Sequence, residues 1–300
     1  QQAEESFFNE NPPPGQLIDV GGRNLHIHCM GEGSPTVILD AGQGGWSIDY
    51  ADIQAQLAER TQVCAYDRAG YGWSDSATDE RTIEQISDDI YTLLSEANLD
   101  ESYVLVGFSF AGLPVRYFYQ QYPDLLAGMV LIDPALPQDR EMQSEELLSA
   151  QQSLLGAYSL FEGAASMGLV RILKPEEIAP YAPFIPIDPV SPDLYYAGVS
   201  MPDWWATSRK EFATNLFGDL PEFTTSIDIP TRIIGLSDSI ADETYATLNQ
   251  DRLDQLQALA DESELVALVV FADIEHQEII RATERVVTTI EDVLDVIVQD

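Results

Sequence analysis

The chain has few basic residues, few histidines and few cysteines, and each shortage narrows the functions it can have. Of its 300 residues 51 are acidic and 14 are basic, which gives a formal charge of −37 at pH 7. Such a charge repels phosphate groups and anionic lipid head groups, so nucleic acid is excluded as a partner. Only two of the basic residues are lysines, Lys174 and Lys210. An excess of acidic residues with so little lysine fits a salt-adapted protein and an ordinary acidic secreted protein equally well.

Long apolar runs are also missing. No stretch reaches the 18 apolar residues that a membrane-spanning helix needs. No signal peptide is recognisable, and residues 1–5 resemble a trimmed end, so a leader or anchor before them stays an open alternative. The two cysteines do not form a CxxC pair, which argues against a zinc site. His26 and His28 lack a third ligand nearby, so we expect no metal and no other cofactor.

Apolar and β-branched runs predict eight strands, over residues 17–20, 24–29, 36–39, 62–66, 103–106, 128–132, 230–235 and 265–271. Helical patterns lie over residues 48–59, 82–97, 113–122 and 277–299, and Thr82 and Gln85 fit a capping box at the start of the second. Strands and helices alternate, which predicts an α/β fold with a doubly wound, mostly parallel sheet and helices on both faces.

The alternation stops near residue 136 and resumes near residue 226, and this interruption divides the chain. Residues 1–15, which end in three prolines and a glycine, are predicted to form an N-terminal arm. Residues 16–136 and 226–300 are predicted to form the core. Residues 137–225 have no strand signal and many large apolar residues and prolines, so we expect an inserted helical cap.

Residues 103–112 (YVLVGFSFAG) carry the strongest functional signal. A buried strand leads directly into Ser109, and a helix follows, as in a nucleophile elbow. The residues two positions before and after the serine must be nearly free of side chain, because the strand and helix backbones pass close there. Gly107 meets that need, and Ala111 is only one methyl group larger. Ser109 is therefore the candidate nucleophile.

A serine hydroxyl needs a base, and His276 is the best-placed of the three histidines. It follows the last strand by a short loop, so it should emerge at the same sheet edge as the serine. The acid that orients this histidine should lie between the two in the chain, and Asp238, after the seventh strand, is the first choice. Asp133 after the sixth strand is the main alternative. The outside candidates are Asp242 and Glu243.

Acyl transfer also needs backbone N–H donors for the oxyanion. One is expected from Phe110, directly after the nucleophile, and the other from Gln43 in the glycine-rich loop after the third strand. The residues predicted to line the substrate pocket are Gly42, Gly44, Trp46 and Phe108. These glycines do not form a GxGxxG or Walker motif, which argues against a nucleotide site.

With the elbow and this order of residues, the chain resembles the α/β-hydrolase superfamily. Tyr66–Asp75 resembles the loop that follows the fourth strand in that superfamily. Gly128–Pro134 resembles its sixth strand, and Ile229–Asp238 resembles its seventh strand with the acid that follows it. The resemblance implies an eight-stranded sheet and a serine esterase or lipase with a helical cap. Phe108 and Ala41 depart from the histidines that are frequent at their positions in relatives. Ser109 argues against the dehalogenases and epoxide hydrolases of the superfamily, which have aspartate at the elbow.

The superfamily fold also implies that the strands of Cys29 and Cys64 are antiparallel neighbours. A disulfide and two buried free thiols are then equally compatible with the sequence. A disulfide would imply an oxidising compartment, and together with the trimmed N-terminus it slightly favours a secreted or extracytoplasmic protein.

The predicted function is that of a serine hydrolase that cleaves carboxylic esters with a hydrophobic acyl or alcohol group. Its partner would be a small hydrophobic ester, and the oligomeric state is left open. Aminopeptidase, amidase and carbon–carbon bond hydrolase activity remain alternatives within the fold, as does a lipase that acts at lipid interfaces. A non-catalytic ligand-binding homologue is the alternative outside enzymes.

Overall fold

The computed structural model describes residues 8–99, 102–140, 145–173, 175–178, 191–224, 226–237 and 243–299. It contains one eight-stranded sheet whose strands lie in the order β1-β2-β4-β3-β5-β6-β7-β8. The strands are β1 Gln16–Asp19, β2 Asn24–Met30, β3 Thr36–Asp40, β4 Val63–Tyr66, β5 Tyr103–Phe108, β6 Leu126–Ile132, β7 Thr231–Ser237 and β8 Val266–Ala272. β2 is antiparallel to both β1 and β4, and the remaining neighbours are parallel.

The central strands are buried on both faces, as their uninterrupted apolar sequences indicate. Every residue of β3 and β5 is buried. The predicted α/β class and the mostly parallel, doubly wound eight-stranded sheet are therefore confirmed, and each predicted strand lies within two residues of its observed bounds.

The helices are α1 Ala51–Leu57, α2 Ile83–Glu96, α3 Gly112–Gln121, α4 Glu145–Ser166, α5 Pro175–Ile178, α6 Pro192–Val199, α7 Pro202–Phe217, α8 Glu243–Ala260 and α9 Thr283–Gln299. Apolar residues of α2, α3 and α8 cover one face of the sheet, and those of α1 and α9 cover the other. The capping box of α2 is confirmed, because Thr82 Oγ1 accepts the Gln85 amide and Gln85 Oε1 accepts the Thr82 amide, both at 3.3 Å.

The predicted closing helix over residues 277–299 is wrong at its start. His276–Arg281 forms a 3-10 turn, and the α-helix begins only at Thr283. The backbone of Ala282, with ψ 49°, leaves the helical region and separates the two. The apolar spacing continues through the break, because Ile279 and Ile280 of the turn are buried like the residues of the helix. Periodicity alone therefore could not reveal it.

The segment between β6 and β7 contributes helices α4 to α7, which we call the helical insertion. Its buried aromatic residues are Tyr158, Tyr195, Trp204, Trp205 and Phe212. They form one cluster with Trp46 and Tyr71 of the core, so the insertion is fastened to the core by apolar packing. The predicted bounds of the cap, 137–225, include residues outside the described ranges and stay a prediction.

Cys29 and Cys64 are directly opposite each other in the antiparallel pair of β2 and β4. The two residues are joined in a disulfide, so this alternative holds rather than that of two free thiols. Within the described residues no helix is both long enough and apolar enough to cross a bilayer.

Candidate active site

Ser109 lies on a strained turn between β5 and α3. Its φ is +53°, in the left-handed region that non-glycine residues rarely adopt. A Cβ atom on Gly107 would lie 2.8 Å from the carbonyl oxygen of Ala111, and one on Gly112 would lie 2.4 Å from Cβ of Pro134. The turn therefore depends on glycine where strand, helix and the segment after β6 meet, and it tolerates the methyl group of Ala111.

His276 and Asp133 complete a hydrogen-bonded series that begins at Ser109. Nε2 of His276 is 2.9 Å from Oγ of Ser109, and its Nδ1 bonds Oδ2 of Asp133. Asp133 follows β6 and His276 follows β8, so the carboxyl ends of β5, β6 and β8 supply the three side chains. Because an ionised carboxylate only accepts hydrogen bonds, Nδ1 carries the ring proton and Nε2 is free to accept from the serine hydroxyl.

Arg252 of α8 keeps Asp133 ionised. Burial alone would raise the pKa of Asp133, but Arg252 and His276 outweigh it and lower that pKa to about 2. Nε of Arg252 is 3.3 Å from Oδ1 of Asp133, and a second nitrogen is 3.0 Å from Asp139. Arg252 was not predicted from the sequence, because nothing in the pattern of a helix reveals a partner 119 residues away. Asp238, the first choice as the acid, lies outside the described residues, as does Asp242.

The loop after β3 brings backbone amides beside the nucleophile. A Cβ atom on Gly42 would lie 2.9 Å from Phe108 and 3.4 Å from Cβ of Ser109, so the loop passes directly over the elbow. Within the described residues no protein acceptor bonds the amide of Gln43 or that of Phe110. Both predicted donors are thus close to Ser109 in the chain or in space, with their hydrogen-bonding capacity unused.

A pocket with about 380 Å³ of empty space, open to solvent, adjoins Ser109 and His276. Of the predicted pocket residues, Gly42 and Phe108 line it. The Phe108 ring is 4.9 Å from the His276 ring. Gln43, predicted as an oxyanion donor, also lines the pocket, and the lining residues that were not predicted are Gly45, Asp49, Gln277 and Ile280. Gln277 and Ile280 reach the pocket because residues 276–281 form a turn rather than the predicted helix.

Gly44 and Trp46, predicted as pocket residues, lie elsewhere. The loop turns back at Gly44, where φ is +75°, and its carbonyl oxygen accepts a 2.9 Å hydrogen bond from Trp204 of α7. Trp46 is only 3% exposed and packs against Trp73 and Tyr195. Both residues therefore fasten the loop to the helical insertion instead of facing the pocket.

Asp49 is a buried carboxyl group in the pocket wall. Its Oδ2 accepts a 3.1 Å hydrogen bond from the Trp46 amide, whereas its Oδ1 is buried and has no partner within the described residues. Burial raises the pKa of Asp49 to about 7, although the Trp46 amide and Arg281 partly oppose the increase. Asp49 could not be singled out from the sequence, because it is one of 51 acidic residues.

In the His26–His28 pair, His26 is packed and hydrogen-bonded inside the fold. His26 is fully buried, its Nδ1 lies 2.9 Å from Oδ2 of Asp67, and its ring contacts Trp73. Among the described residues no group of three or more His, Cys, Asp or Glu side chains is arranged to hold a metal ion.

Comparison with known proteins matches part of the chain to a protein family. A model of the family with the alpha/beta hydrolase fold matches residues 35–161, which contain Ser109 and Asp133. Uncharacterized protein YbdG of Bacillus subtilis is 25% identical over 126 residues, which are 41% of this chain and 39% of that protein. The matched segments span less than half the length of the curated relatives.

Solved structures share the fold along nearly the whole chain. A thermophilic esterase from Thermogutta terrifontis has 20% identity and a TM-score of 0.63, covering 94% of this chain and 97% of its own. The enol-lactonase from Burkholderia xenovorans has 20% identity and a TM-score of 0.66, covering 93% of this chain and 100% of its own. The chain therefore has the α/β-hydrolase fold, as the sequence predicts.

Proposed function

We propose that the protein is a serine hydrolase that cleaves carboxylic esters, with Ser109 as nucleophile, His276 as base and Asp133 as the orienting acid. One observation carries this proposal: Nε2 of His276 is 2.9 Å from Oγ of Ser109 while its other ring nitrogen bonds Asp133. The serine hydroxyl contacts the imidazole, and the imidazole contacts the carboxylate. This order of contacts makes the serine nucleophilic at neutral pH.

In the first half of the reaction, Oγ of Ser109 attacks the ester carbonyl carbon while Nε2 of His276 takes the hydroxyl proton. The negative charge that develops on the carbonyl oxygen is stabilised by the amides of Gln43 and Phe110. The carbon–oxygen bond to the alcohol then breaks, and the alcohol leaves with the proton from His276. The product is an acyl group esterified to Ser109.

In the second half, water loses a proton to His276 and attacks the acyl carbon. The bond to Oγ breaks, Ser109 recovers its proton, and the carboxylic acid leaves. Asp133 stays ionised throughout and stabilises the imidazolium that forms twice in the cycle.

The pocket favours esters with a small hydrophobic group. Phe108 and Ile280 provide apolar walls next to Ser109 in a pocket that is open to solvent. The esterase and the enol-lactonase with the same fold support ester or lactone chemistry. The disulfide supports our further proposal that the protein works in an oxidising compartment.

Fluorophosphonate labelling and a panel of p-nitrophenyl esters of graded chain length test this function. We expect one label per chain, lost in Ser109→Ala, and hydrolysis of at least the shorter esters. A chain that takes no label and hydrolyses none of the esters would be a binding protein, and the proposal would fail.

The acid is tested by a matched pair of variants. Asp133→Asn should lower kcat about 10³- to 10⁴-fold, because an amide cannot hold the same histidine tautomer or stabilise an imidazolium. Asp238→Asn should retain activity within about threefold, since it is not the partner of His276 in this arrangement. The reverse result would restore Asp238 as the acid.

A further inference from the structure

A buried arginine lies beneath the loop that carries Gln43. Arg68, in the segment after β4, is only 2% exposed. One terminal nitrogen of its guanidinium donates to the carbonyl oxygen of Ala41 and, at 2.5 Å, to Oδ1 of Asp40. The other donates at 2.8 Å to the carbonyl oxygen of Gly42. A planar, charged fork thus holds two successive carbonyl groups of the loop.

These carbonyl contacts determine where the Gln43 amide points. The carbonyl group of Gly42 and the N–H of Gln43 belong to one planar trans peptide, in which they point in opposite directions. Arg68 and the Gly45 amide, at 3.1 Å, both donate to the Gly42 oxygen, which fixes the plane of this peptide. The Gln43 N–H lies on the opposite edge of that peptide and has no protein acceptor of its own within the described residues, and Gln43 lines the same pocket as Ser109.

The guanidinium is itself fixed by the helical insertion. Glu211 of α7 is fully buried, and its carboxylate accepts from Nε of Arg68 at 2.9 Å and from a terminal nitrogen at 3.0 Å. Tyr71 donates to the same carboxylate at 2.9 Å. A two-point contact of this kind fixes the orientation of both partners.

The same face of α7 contacts the loop at two further positions and the segment that carries Arg68 at a third. Residues three, four and seven apart lie on one helix face, and here they are Trp204, Thr207, Ser208 and Glu211. Trp204 donates to the Gly44 carbonyl at 2.9 Å, and the side chain of Gln43 donates to the Ser208 carbonyl at 2.9 Å. A Cβ atom on Gly70 would lie 1.9 Å from Oγ1 of Thr207, so α7 also touches the segment that carries Arg68.

We propose that Arg68 is a positioning residue of the oxyanion site, held by Glu211, so that the seating of α7 on the loop sets the direction of the Gln43 N–H. This inference rests on the proposed serine hydrolase function. It assigns the helical insertion a role in transition-state stabilisation besides covering the core.

The guanidinium of Arg68 stays protonated in this environment. Burial alone would lower the pKa of Arg68, but Glu211 and Asp40 outweigh it and hold that pKa well above its ordinary value. A permanent cation therefore polarises the Gly42 peptide, which strengthens the Gln43 N–H as a donor.

Arg68→Lys is the primary test, because lysine keeps the charge and loses the fork. We expect kcat to fall by about 10- to 100-fold, approaching the loss seen when one oxyanion donor is removed, with KM within about threefold. The dissociation constant of an alkyl trifluoromethyl ketone, whose adduct with Ser109 carries an oxyanion, should rise by the same factor as kcat falls.

Arg81→Lys is the matched control. Arg81 is 1% exposed and pairs with Asp89 at 2.9 Å, so it is an equally buried arginine in an ion pair that does not touch the loop. We expect this variant to lose stability without a change in kcat or in affinity for the ketone. Glu211→Gln is the second variant, in case Arg68→Lys does not fold, and it should lower kcat and ketone affinity together by about 3- to 10-fold.

The outcomes separate this inference from the function on which it rests. Parallel losses of kcat and ketone affinity in Arg68→Lys or Glu211→Gln, absent from Arg81→Lys, support the role of Arg68. Unchanged kcat in folded variants, or a loss of kcat with undiminished ketone affinity, overturns it while the hydrolase proposal stands. A wild-type protein that takes no fluorophosphonate and binds no ketone refutes both.

Discussion

Asp49→Asn is expected to stabilise the protein increasingly as the pH rises. Asp49 is 5% exposed, and one of its carboxylate oxygens has no partner within the described residues. Burial raises its pKa from 3.8 to about 7, so the folded protein holds a proton that the unfolded chain releases. The stability that this proton provides is complete below pH 4 and is lost as the pH rises through 7. At 1.36 kcal/mol for each pH unit, the difference amounts to about 4 kcal/mol between pH 4 and pH 8.

Asparagine has the same shape and does not titrate, so it removes this pH dependence. The quantity to follow is the free energy of unfolding of Asp49→Asn after subtraction of the wild-type value at the same pH. We expect this difference to increase by about 4 kcal/mol from pH 4 to pH 8. Urea denaturation at one-unit pH intervals and constant NaCl measures this difference, in which the titrations common to both proteins cancel.

Asp52→Asn is the matched control, since Asp52 is exposed at the start of α1 only three residues away. Its difference from the wild type should stay flat over the same range. The reasoning is refuted if the Asp49→Asn difference is independent of pH, or if it moves in favour of the wild type as the pH rises.

Two further predictions concern the disulfide and the surface charge. Replacing both Cys29 and Cys64 by alanine should lower the free energy of unfolding by about 4 kcal/mol, because the bridge closes a loop with a sequence separation of 35. Denaturant unfolding measures this, and equal stability of the double variant would contradict it. Raising NaCl from 0.1 to 2 M should raise Tm by at least about 3 °C, since salt screens the repulsion among surface carboxylates. A constant or falling Tm would rule out salt adaptation.

The sheet and two of the three proposed catalytic residues could be predicted from the sequence without knowledge of long-range contacts. Burial on both faces leaves uninterrupted apolar runs in β3 and β5, and parallel order collects the loops that follow such strands at one edge. Ser109 is marked by its small neighbours, and His276 by the rarity of histidine in the chain. These inferences use the spacing of residues within one element or the number of histidines in the chain. None of them needs a contact between distant segments.

The choice of acid could not be made from such signals. Asp133 and Asp238 both follow strands whose carboxyl ends lie at the edge that holds Ser109. The choice depends on the reach of individual side chains and on Arg252, whose positive charge offsets the cost of burying Asp133. A contact between α8 and the loop after β6 has no counterpart in the local sequence.

The helical insertion was recognised by its composition, but its contacts with the site were not. Its large apolar residues predicted an inserted cap and nothing about the loop after β3. In the structure, Trp204 packs over Gly44, and the buried Glu211 reaches Arg68 across 143 positions of the chain. Buried polar residues on a helix resemble solvent-facing residues until the partner is known.

The distribution of positive charge adds a physical reason to expect the site to be insensitive to salt. The chain has only 14 basic residues, and Arg68 and Arg252 are both placed against the proposed catalytic machinery. Salt screens exposed charges over about 10 Å at 0.1 M and acts much less on buried pairs. The surface carboxylates therefore respond to ionic strength, while the buried pair that holds the Gln43 loop and the partly buried pair that holds Asp133 respond much less. We therefore expect salt to change Tm without a matching change in the kcat of the proposed ester hydrolysis.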